Sequence, residues 1–450
     1  MNHKESTMRR RKFIFLLAIA ILAVLVTDNG EVTALQQRNM VSYLRGPYNA
    51  DFFYRHNEAF RVASAIHIAH GRQHDILELT PLSRHQETDG DTDAEYMRAT
   101  LKPPRTEPTM ELMGPYSAMS YFSLYRAIDW THIHHEQTYD ILSEKSIPWE
   151  EKKKWTDRAV RYYLDKFDIP RSPAPLDVTM RRAGVMMKPY TTLFRNYYPH
   201  SNNFFYAAHW WHPVIYEAMM VGGNGEKQDS MVRETDQTYF TQVLADRPQR
   251  MLLSRELMPR YSRLSPESAN IFDNLHMLHG IAYDILTYEG WSAEEKKAEL
   301  DRVIEAMSAR PGDERLARKF PLPHPDIDPR NYMEWMKGTE GEMNRIMKEM
   351  MDEMMPMMMP QKMEPEMHEK IMAQFKMKLT PGLQEGELPG SLGEVMQAMM
   401  PEMKMMPESL QPGVAPTKMI DMMLRGWQEK YGGMADVEPL PMQQGPAIHQ

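Results

Sequence analysis

The sequence predicts an all-α protein, a helical bundle built from a tandem duplication in which each copy holds two helices bearing a histidine motif. Apolar and aromatic residues recur at three- and four-residue spacing, which is typical of amphipathic helices. Two motif segments recur further along the chain, at offsets of 144 residues (His276 against His132) and 142 residues (His209 against His67). A low-complexity, methionine-rich tail is expected to follow the bundle.

The N-terminal segment has the layout of a secretory signal. Met8 to Lys12 is basic, Phe13 to Val26 is an unbroken apolar run, and Val32-Thr33-Ala34 offers small residues for a signal peptidase. The run is short for a membrane span, which needs about 20 apolar residues. We therefore expect residues 1–34 to be removed and the protein to be exported, periplasmic or extracellular; the alternative is an inner-membrane anchor formed by residues 13–26.

Residues 35–310 are expected to form the duplicated metal-binding domain, with units at about 38–170 and 180–310. The segment from Asp129 to Leu142 matches Asp273 to Leu286, and the segment from His67 to Leu77 is paralleled by His209 to Met219. Two further amphipathic helices are predicted, Trp149 to Phe167 and Ser292 to Ser308, each with acidic residues at its start.

The C-terminal third has a different composition. Residues 311–330 form a proline-rich linker, and well over half of the chain's 43 methionines follow in residues 331–450. This tail is poor in aromatic and β-branched residues and interrupted by proline, so we expect it to be largely disordered or to form short helices.

Composition excludes several classes of protein. The net charge of −9 argues against nucleic-acid binding, which would require a basic face. Absence of cysteine from the sequence excludes disulfides, thiolate metal sites and cysteine nucleophiles.

Four motifs share one template. A second His lies three residues after the first, an aromatic residue or His lies seven residues after it, and an acid lies eight residues after it. The last two are called position seven and position eight of the motif. On an α-helix, the two His and the seventh residue fall within about 60° of one another and form a single stripe. Only 17 His are present in 450 residues, which would give fewer than one His-x-x-His by chance. Eight imidazoles packed together without a metal would leave buried nitrogens that need partners. The alternative is that the histidines are ordinary hydrogen-bonded core residues.

The predicted metal ligands are the paired histidines and the aspartates that precede two of the pairs by three residues: His67, His70, His132, His135, His209, His212, His276, His279, Asp129 and Asp273. The residues at positions seven and eight are expected to orient these ligands without binding the metal themselves. They are His74, Asp75, Tyr139, Asp140, Tyr216, Glu217, Tyr283 and Asp284.

Copper is the first expectation for the metal and iron the alternative. An all-imidazole set favours copper, and the thioethers of the tail are soft ligands for Cu(I). Two His with one carboxylate in each half would instead be an iron pattern. Methionine is also an adaptable apolar side chain for contacts with a protein partner.

Three functions remain open on the sequence alone. The first is binding of copper or iron for storage, delivery or redox use. The second is a di-iron or binuclear copper oxidase or oxygenase acting on a small substrate. The third is a structural or scaffold protein whose methionine-rich tail binds a partner. These functions differ in the site they require. An enzyme would leave one coordination position of the metal open beside a pocket, and a carrier would have closed, symmetric or solvent-accessible sites. In a scaffold, the motif histidines would point apart.

Overall fold

The protein is described from a computed structural model, which covers residues 44–48, 51–105, 113–319, 328–338 and 341–358. These residues are 77% helical and contain no strand, so the all-α prediction is confirmed. Residues 1–34, expected as a signal, and residues 359–450 of the expected tail lie outside the described residues. Within the described ranges, no helix combines the length and apolar character needed to cross a bilayer.

The α-helices follow one another with short connections. In chain order they are α1 Asp51–Arg55, α2 Asn57–Leu79, α3 His85–Leu101, α4 Pro115–Ser120, α5 Phe122–Ser143, α6 Trp149–Lys166, α7 Leu176–Ala183, α8 Leu193–Tyr197, α9 Pro199–Gly222, α10 Glu226–Thr238, α11 Ser254–Leu257, α12 Pro259–Leu264, α13 Pro266–Thr287, α14 Ala293–Ala306, α15 Asp313–Lys319, α16 Tyr332–Gly338 and α17 Glu342–Met358. Short 3₁₀ turns occupy Leu82–Arg84 and Val185–Met187, and a π-helical turn, Tyr239–Val243, continues α10.

The four histidine motifs lie on four long, largely buried helices, α2, α5, α9 and α13, called the motif helices below. They contain 23, 22, 24 and 22 residues, and most residues of each are buried, polar ones included. Helices buried on most of their surface lie in the interior of a bundle. The motif helices therefore form the centre of the fold.

Each motif helix is preceded, after one intervening residue, by a short helix of five or six residues: α1, α4, α8 and α12, called the lead-in helices. These short helices have free N–H groups at their N-termini, which require acceptors from elsewhere in the fold. The acid at position eight of each motif supplies them, as described in the next section.

The two amphipathic helices predicted beside the motifs are confirmed as α6 and α14. Helix α14 begins with a capping box, because the backbone N–H of Glu295 donates to the Ser292 hydroxyl and the Glu295 carboxylate accepts from the Ser292 N–H. The glycine cluster at the end of α9 forms a turn. Gly223 there has φ of +67° and Gly225 has φ of +129°, conformations that glycine adopts without strain.

The first part of the region expected as linker and tail packs against the bundle. Asp313, at the start of α15, is buried and accepts hydrogen bonds from Ser172 Oγ and from the Arg182 guanidinium. Trp335 on α16 is fully buried, and Met350 on α17 is 1% exposed. Residues up to 350 thus contribute to the main apolar core, because α16 and α17 present aromatic and apolar faces that the composition of the whole tail had concealed.

Candidate metal centre

The side chains of all eight motif histidines meet in one interior cluster between the motif helices. The first histidines of the motifs pack together within each half of the chain: His67 stacks on His132, and His209 contacts His276 edge-on, each pair with ring centroids 4.0 Å apart. The second histidines pair between the halves: His70 with His279 at 4.7 Å, and His135 with His212 at 5.2 Å.

Further contacts join these pairs into one network. The His67 and His212 rings are 5.2 Å apart, and the His132 and His279 rings 5.9 Å apart. The His276 ring lies 6.0 Å from that of His212. With metal–nitrogen bonds of about 2 Å, two imidazoles on one tetrahedral ion have ring centroids about 5 Å apart. Several of these pairs have the separation of co-ligands, whereas the two 4.0 Å pairs are packed closer than that.

The cluster is almost fully removed from solvent, since none of the eight residues exceeds 4% exposure. Both ring nitrogens of His70, His132, His212 and His279 are buried without a hydrogen-bond partner in the described part of the chain. A buried polar atom with no partner costs about 1–3 kcal/mol, and most such atoms in folded proteins are paired. The density of unpaired nitrogens therefore requires an explanation other than apolar packing.

His209 shows which kind of partner is missing. Its Nδ1 lies 2.6 Å from the backbone carbonyl of Phe205, and since a carbonyl only accepts, Nδ1 carries the proton. Nε2 is then an unprotonated lone pair, and it too is buried with no hydrogen-bond partner among the described residues. This is the nitrogen that a metal ion binds in a neutral imidazole.

Burial keeps these imidazoles neutral. Desolvation first, and repulsion from neighbouring rings second, hold the pKa of the following residues well below the ordinary value: His70, His132, His212, His276 and His279. Burial lowers the pKa of His209 to about 4, although its hydrogen bond to Phe205 opposes the shift. Metal binding requires the neutral form, so no proton need be displaced at pH 7.

Tyrosines at the seventh motif position connect the halves through the backbone. The Tyr139 hydroxyl donates to the His212 carbonyl at 2.7 Å, and the Tyr216 hydroxyl donates to the His135 carbonyl at 3.1 Å. Tyr283 donates to the His70 carbonyl at 3.2 Å. Each tyrosine thus donates to the backbone carbonyl of the second histidine of a motif in the other half. Tyr216 also lies 2.5 Å from Nδ1 of His135.

His74, the fourth residue at this position, makes no such bond. It is fully buried, and neither of its nitrogens has a hydrogen-bond partner in the ranges described. Its ring lies 5.9 Å from that of His279 and 4.9 Å from that of Tyr283.

The acids at the eighth position act on the lead-in helices, a role different from the expected one of orienting ring nitrogens. Asp75 accepts from Ser117 N on α4 at 2.8 Å, and Asp140 accepts from Phe52 N on α1 at 2.9 Å. In the second half, Glu217 accepts from Arg260 N on α12, and Asp284 accepts from Phe194 N on α8. Each acid therefore caps the lead-in helix of the other motif in its own half, which satisfies free N–H groups and complements the helix dipole.

The two aspartates expected as ligands differ in burial. Asp273 is buried, and its Oδ1 accepts hydrogen bonds from the backbone N–H and the hydroxyl of Ser254, at 2.8 and 2.7 Å. Burial raises the pKa of Asp273 to about 7. Asp129 is only half-buried, unlike the motif histidines. Within the described ranges, no three His, Asp or Glu side chains are already arranged around a point where an ion would sit.

Two phenylalanines that the sequence interpretation overlooked enclose the cluster. Phe205 stacks on His70 with ring centroids 4.5 Å apart, and Phe272 contacts His276 at 4.1 Å and His135 at 4.8 Å. Both precede the first histidine of their motif by four residues, one helical turn, so the same stripe that identified the histidines contains them. They replace water around the rings with apolar surface.

Comparison of the chain with protein-family models, with curated proteins and with solved structures gave no match.

Proposed function

We propose that this protein binds a transition-metal ion, copper first and iron as the alternative, in a closed site formed by the motif histidines. The observation that carries the proposal is the interior cluster of neutral imidazoles whose nitrogens lack partners, and in particular the unprotonated Nε2 of His209. Imidazole is a ligand for copper, zinc, iron and nickel. An ion would satisfy several nitrogens at once, which no single hydrogen-bond donor does.

Copper is favoured over iron by what the carboxylates do. An iron site of the two-His-one-carboxylate kind needs an acid among the rings. Asp273 is already engaged by Ser254, and the acids at position eight cap lead-in helices. Imidazole is then the main donor of the cluster, and an imidazole set suits copper.

Burial favours storage, delivery or redox use over turnover of a substrate. A catalytic site keeps a coordination position open to a pocket, whereas these rings are covered on all sides. The proposal includes export of the protein and delivery of Cu(I), or docking of a protein partner, through the methionine-rich tail; both rest on the sequence patterns.

The tandem duplication is part of the same proposal. In both halves the acid of each motif caps the lead-in helix of the other motif, and in both halves the rings of the first histidines lie 4.0 Å apart. Two equivalent units that use the same contacts twice account for this arrangement.

The test is metal analysis of protein purified without chelators, compared with the variant His276→Ala/His279→Ala. We expect bound copper in the wild type, its loss in the double variant, and a lower melting temperature of the wild type after chelation, because binding energy stabilises the fold. His134→Ala is the matched control, since His134 is also buried on a motif helix but contacts Ser268 Oγ outside the cluster. A wild type that holds no metal, and whose melting is indifferent to chelators and to added copper, would overturn the proposal.

One observation favours the oxidase as a second candidate. The Tyr216 phenol oxygen lies 2.5 Å from His135 Nδ1, so a redox-active ion in the cluster would have a phenol hydrogen-bonded to one of its imidazoles. An oxidase predicts oxygen consumption by the metal-loaded protein with a small reducing substrate, abolished by Tyr216→Phe. Absence of oxygen consumption with the loaded wild type would leave the carrier function.

A further inference from the structure

We propose that the tightest ion site of this protein is formed by His70, His74 and His279, so that His74 is a ligand and the two sides of the cluster are unequal. This inference rests on the proposed function and specifies it. It assigns the ion to one side of the cluster and identifies one residue outside the repeated His-x-x-His pairs as decisive.

Position 74 departs from the pattern of the other three motifs. Tyr139, Tyr216 and Tyr283 all direct a hydroxyl to a backbone carbonyl beside a second histidine. By that pattern, position 74 would hold a tyrosine donating to the carbonyl of His279. His74 stands there instead, and its imidazole makes no hydrogen bond to the described residues. Where the other motifs have a hydrogen-bonded phenol, position 74 thus has two buried ring nitrogens without hydrogen-bond partners among the described residues.

The geometry places three such imidazoles together. His70 and His74 are four residues apart on α2, so they lie one above the other on the same helical face. His279 approaches them from α13, with ring centroids 4.7 Å from His70 and 5.9 Å from His74. These separations bracket the roughly 5 Å expected for imidazoles that share a tetrahedral ion. The three nitrogens do not yet point to one place in the described residues, so the proposal requires the rings to rotate about their side-chain torsions when an ion binds.

The opposite side of the cluster has one imidazole fewer. There Tyr216 occupies the position equivalent to His74, and its oxygen is engaged by His135 Nδ1, by the His135 carbonyl and by Thr138 Oγ1. His135 and His212 on that side, with His67 at 5.2 Å from His212, are three imidazoles accompanied by a hydrogen-bonded phenol. Because His74 adds a fourth imidazole to His70, His279 and His132, the first ion occupies the His74 side.

Walls of the proposed site are aromatic. The Tyr283 and Tyr125 rings lie 4.9 and 5.5 Å from the His74 ring, and Phe205 stacks on His70. His132, whose ring is 5.9 Å from that of His279, is the nearest further imidazole and completes a fourfold set. No charged side chain is needed, which matches a soft or borderline ion held in an apolar interior.

The experiment compares wild type with His74→Tyr and His74→Phe, using the full chain, with copper alone as the probe and chelator competition as the measure of affinity. His74→Tyr restores the residue type found in the other three motifs, and His74→Phe fills the same space without a nitrogen. We expect both variants to bind the first copper ion at least about tenfold more weakly, the scale seen when metal-site residues are altered.

Stability of the chelated protein separates a ligand from a structural residue. If His74 is a ligand with unsatisfied nitrogens, metal-free His74→Phe should be as stable as the metal-free wild type or more so, because two buried polar atoms are removed. Tyr139→Phe is the control at the equivalent position and should retain copper affinity. Unchanged affinity for the first ion in both His74 variants would overturn this inference and leave the proposed function standing. A wild type that binds no copper would instead overturn the proposed function.

Discussion

Tyr216 reaches across the bundle from α9 and contacts both ends of His135 on α5, the ring through Nδ1 and the backbone through its carbonyl oxygen. A residue in the second half of the chain thereby fixes the orientation of an imidazole in the first half. Where Nδ1 donates to the phenol oxygen, Nε2 of His135 is left as an unprotonated lone pair inside the cluster.

Removing this hydroxyl should weaken the fold without weakening the first metal site. We expect Tyr216→Phe to lower the free energy of unfolding by about 1–3 kcal/mol, since the His135 ring loses its partner in a buried position. Copper affinity for the first ion should stay at the wild-type value, because the His74 side does not include Tyr216. Urea unfolding and chelator competition measure the two quantities. Tyr54→Phe, at a residue 78% exposed, should change neither.

Capping acids should affect stability and leave metal affinity unchanged. Asp75→Ala removes the acceptor for Ser117 N at the start of α4 and should cost about 1–2 kcal/mol, the usual cost of a lost helix cap. An acid that oriented a metal-bound ring would instead reduce metal affinity by about 10- to 100-fold. Such a reduction in folded Asp75→Ala would show that the acid acts on the histidines and not on the lead-in helix.

Stability of the metal-free protein should fall with acidification. The buried imidazoles have folded-state pKa values below the roughly 6.5 of an unfolded histidine, so the unfolded state binds more protons as pH falls below that value. Their contribution is fully present above about pH 7 and is progressively lost toward pH 4, where folded His209 begins to titrate. Buried aspartates oppose this trend because their pKa is raised to about 7, but they are fewer: Asp236, Asp273 and Asp284.

Denaturant unfolding at pH 7.5, 6 and 5 measures this dependence, and we expect a loss of about 1 kcal/mol per pH unit or more below 6.5. Added copper should steepen the dependence, since protons then also compete with the ion for nitrogen. A free energy of unfolding that is flat between pH 7.5 and 5 would mean that the rings are protonated or hydrated in the folded protein.

Truncations should distinguish the packed start of the C-terminal region from the rest of it. A chain ending at Arg330 loses Trp335 and Met350 from the core, which we expect to lower the melting temperature by roughly 5–15 °C. A chain ending at Met358 retains these residues and should melt like the full-length protein, because the remaining sequence is poor in residues that build a core. Equal melting of the two truncated chains would contradict this boundary.

Export remains a prediction from the sequence. The basic, apolar and small-residue succession before residue 35 predicts cleavage after Ala34, so mass spectrometry of the mature protein should identify Leu35 as its first residue. An intact Met1 on protein recovered from the cytosol would contradict cleavage.

Sequence spacing was sufficient to predict the helical class and the helices that carry the histidines, because the two His and the residue at position seven of each motif define one face of a helix. It also identified the acids and tyrosines but not their partners. The bond from Asp75 to Ser117 spans 42 residues, and that from Tyr283 to His70 spans 213. Which helix an outward side chain meets depends on packing between distant segments, which periodicity does not encode.

The packing of residues after 330 against the bundle is likewise not evident from composition. Tyr332 and Trp335 are isolated aromatics in a methionine-rich stretch, and composition averaged over residues 331–450 hid them. Trp210 contacts this segment directly, since its Nε1 donates to the Pro329 carbonyl and its ring meets that of Tyr332. The apolar face of α16 is evident only over the seven residues of that helix, with Tyr332 and Trp335 three positions apart.

The bonds that join the two halves differ in the length of chain that they span. Tyr139 and Tyr216 bind carbonyls 73 and 81 residues away, within the range of the acid caps, whereas Tyr283 binds a carbonyl 213 residues away. Contacts over short separations form more readily in folding than distant ones. The His135–His212 side of the cluster can therefore close before the His70–His279 side, which is completed only when α13 meets α2. Under the proposed function, the side that closes last would be the route by which an ion enters, and an exported chain would enclose the ion available where it finishes folding.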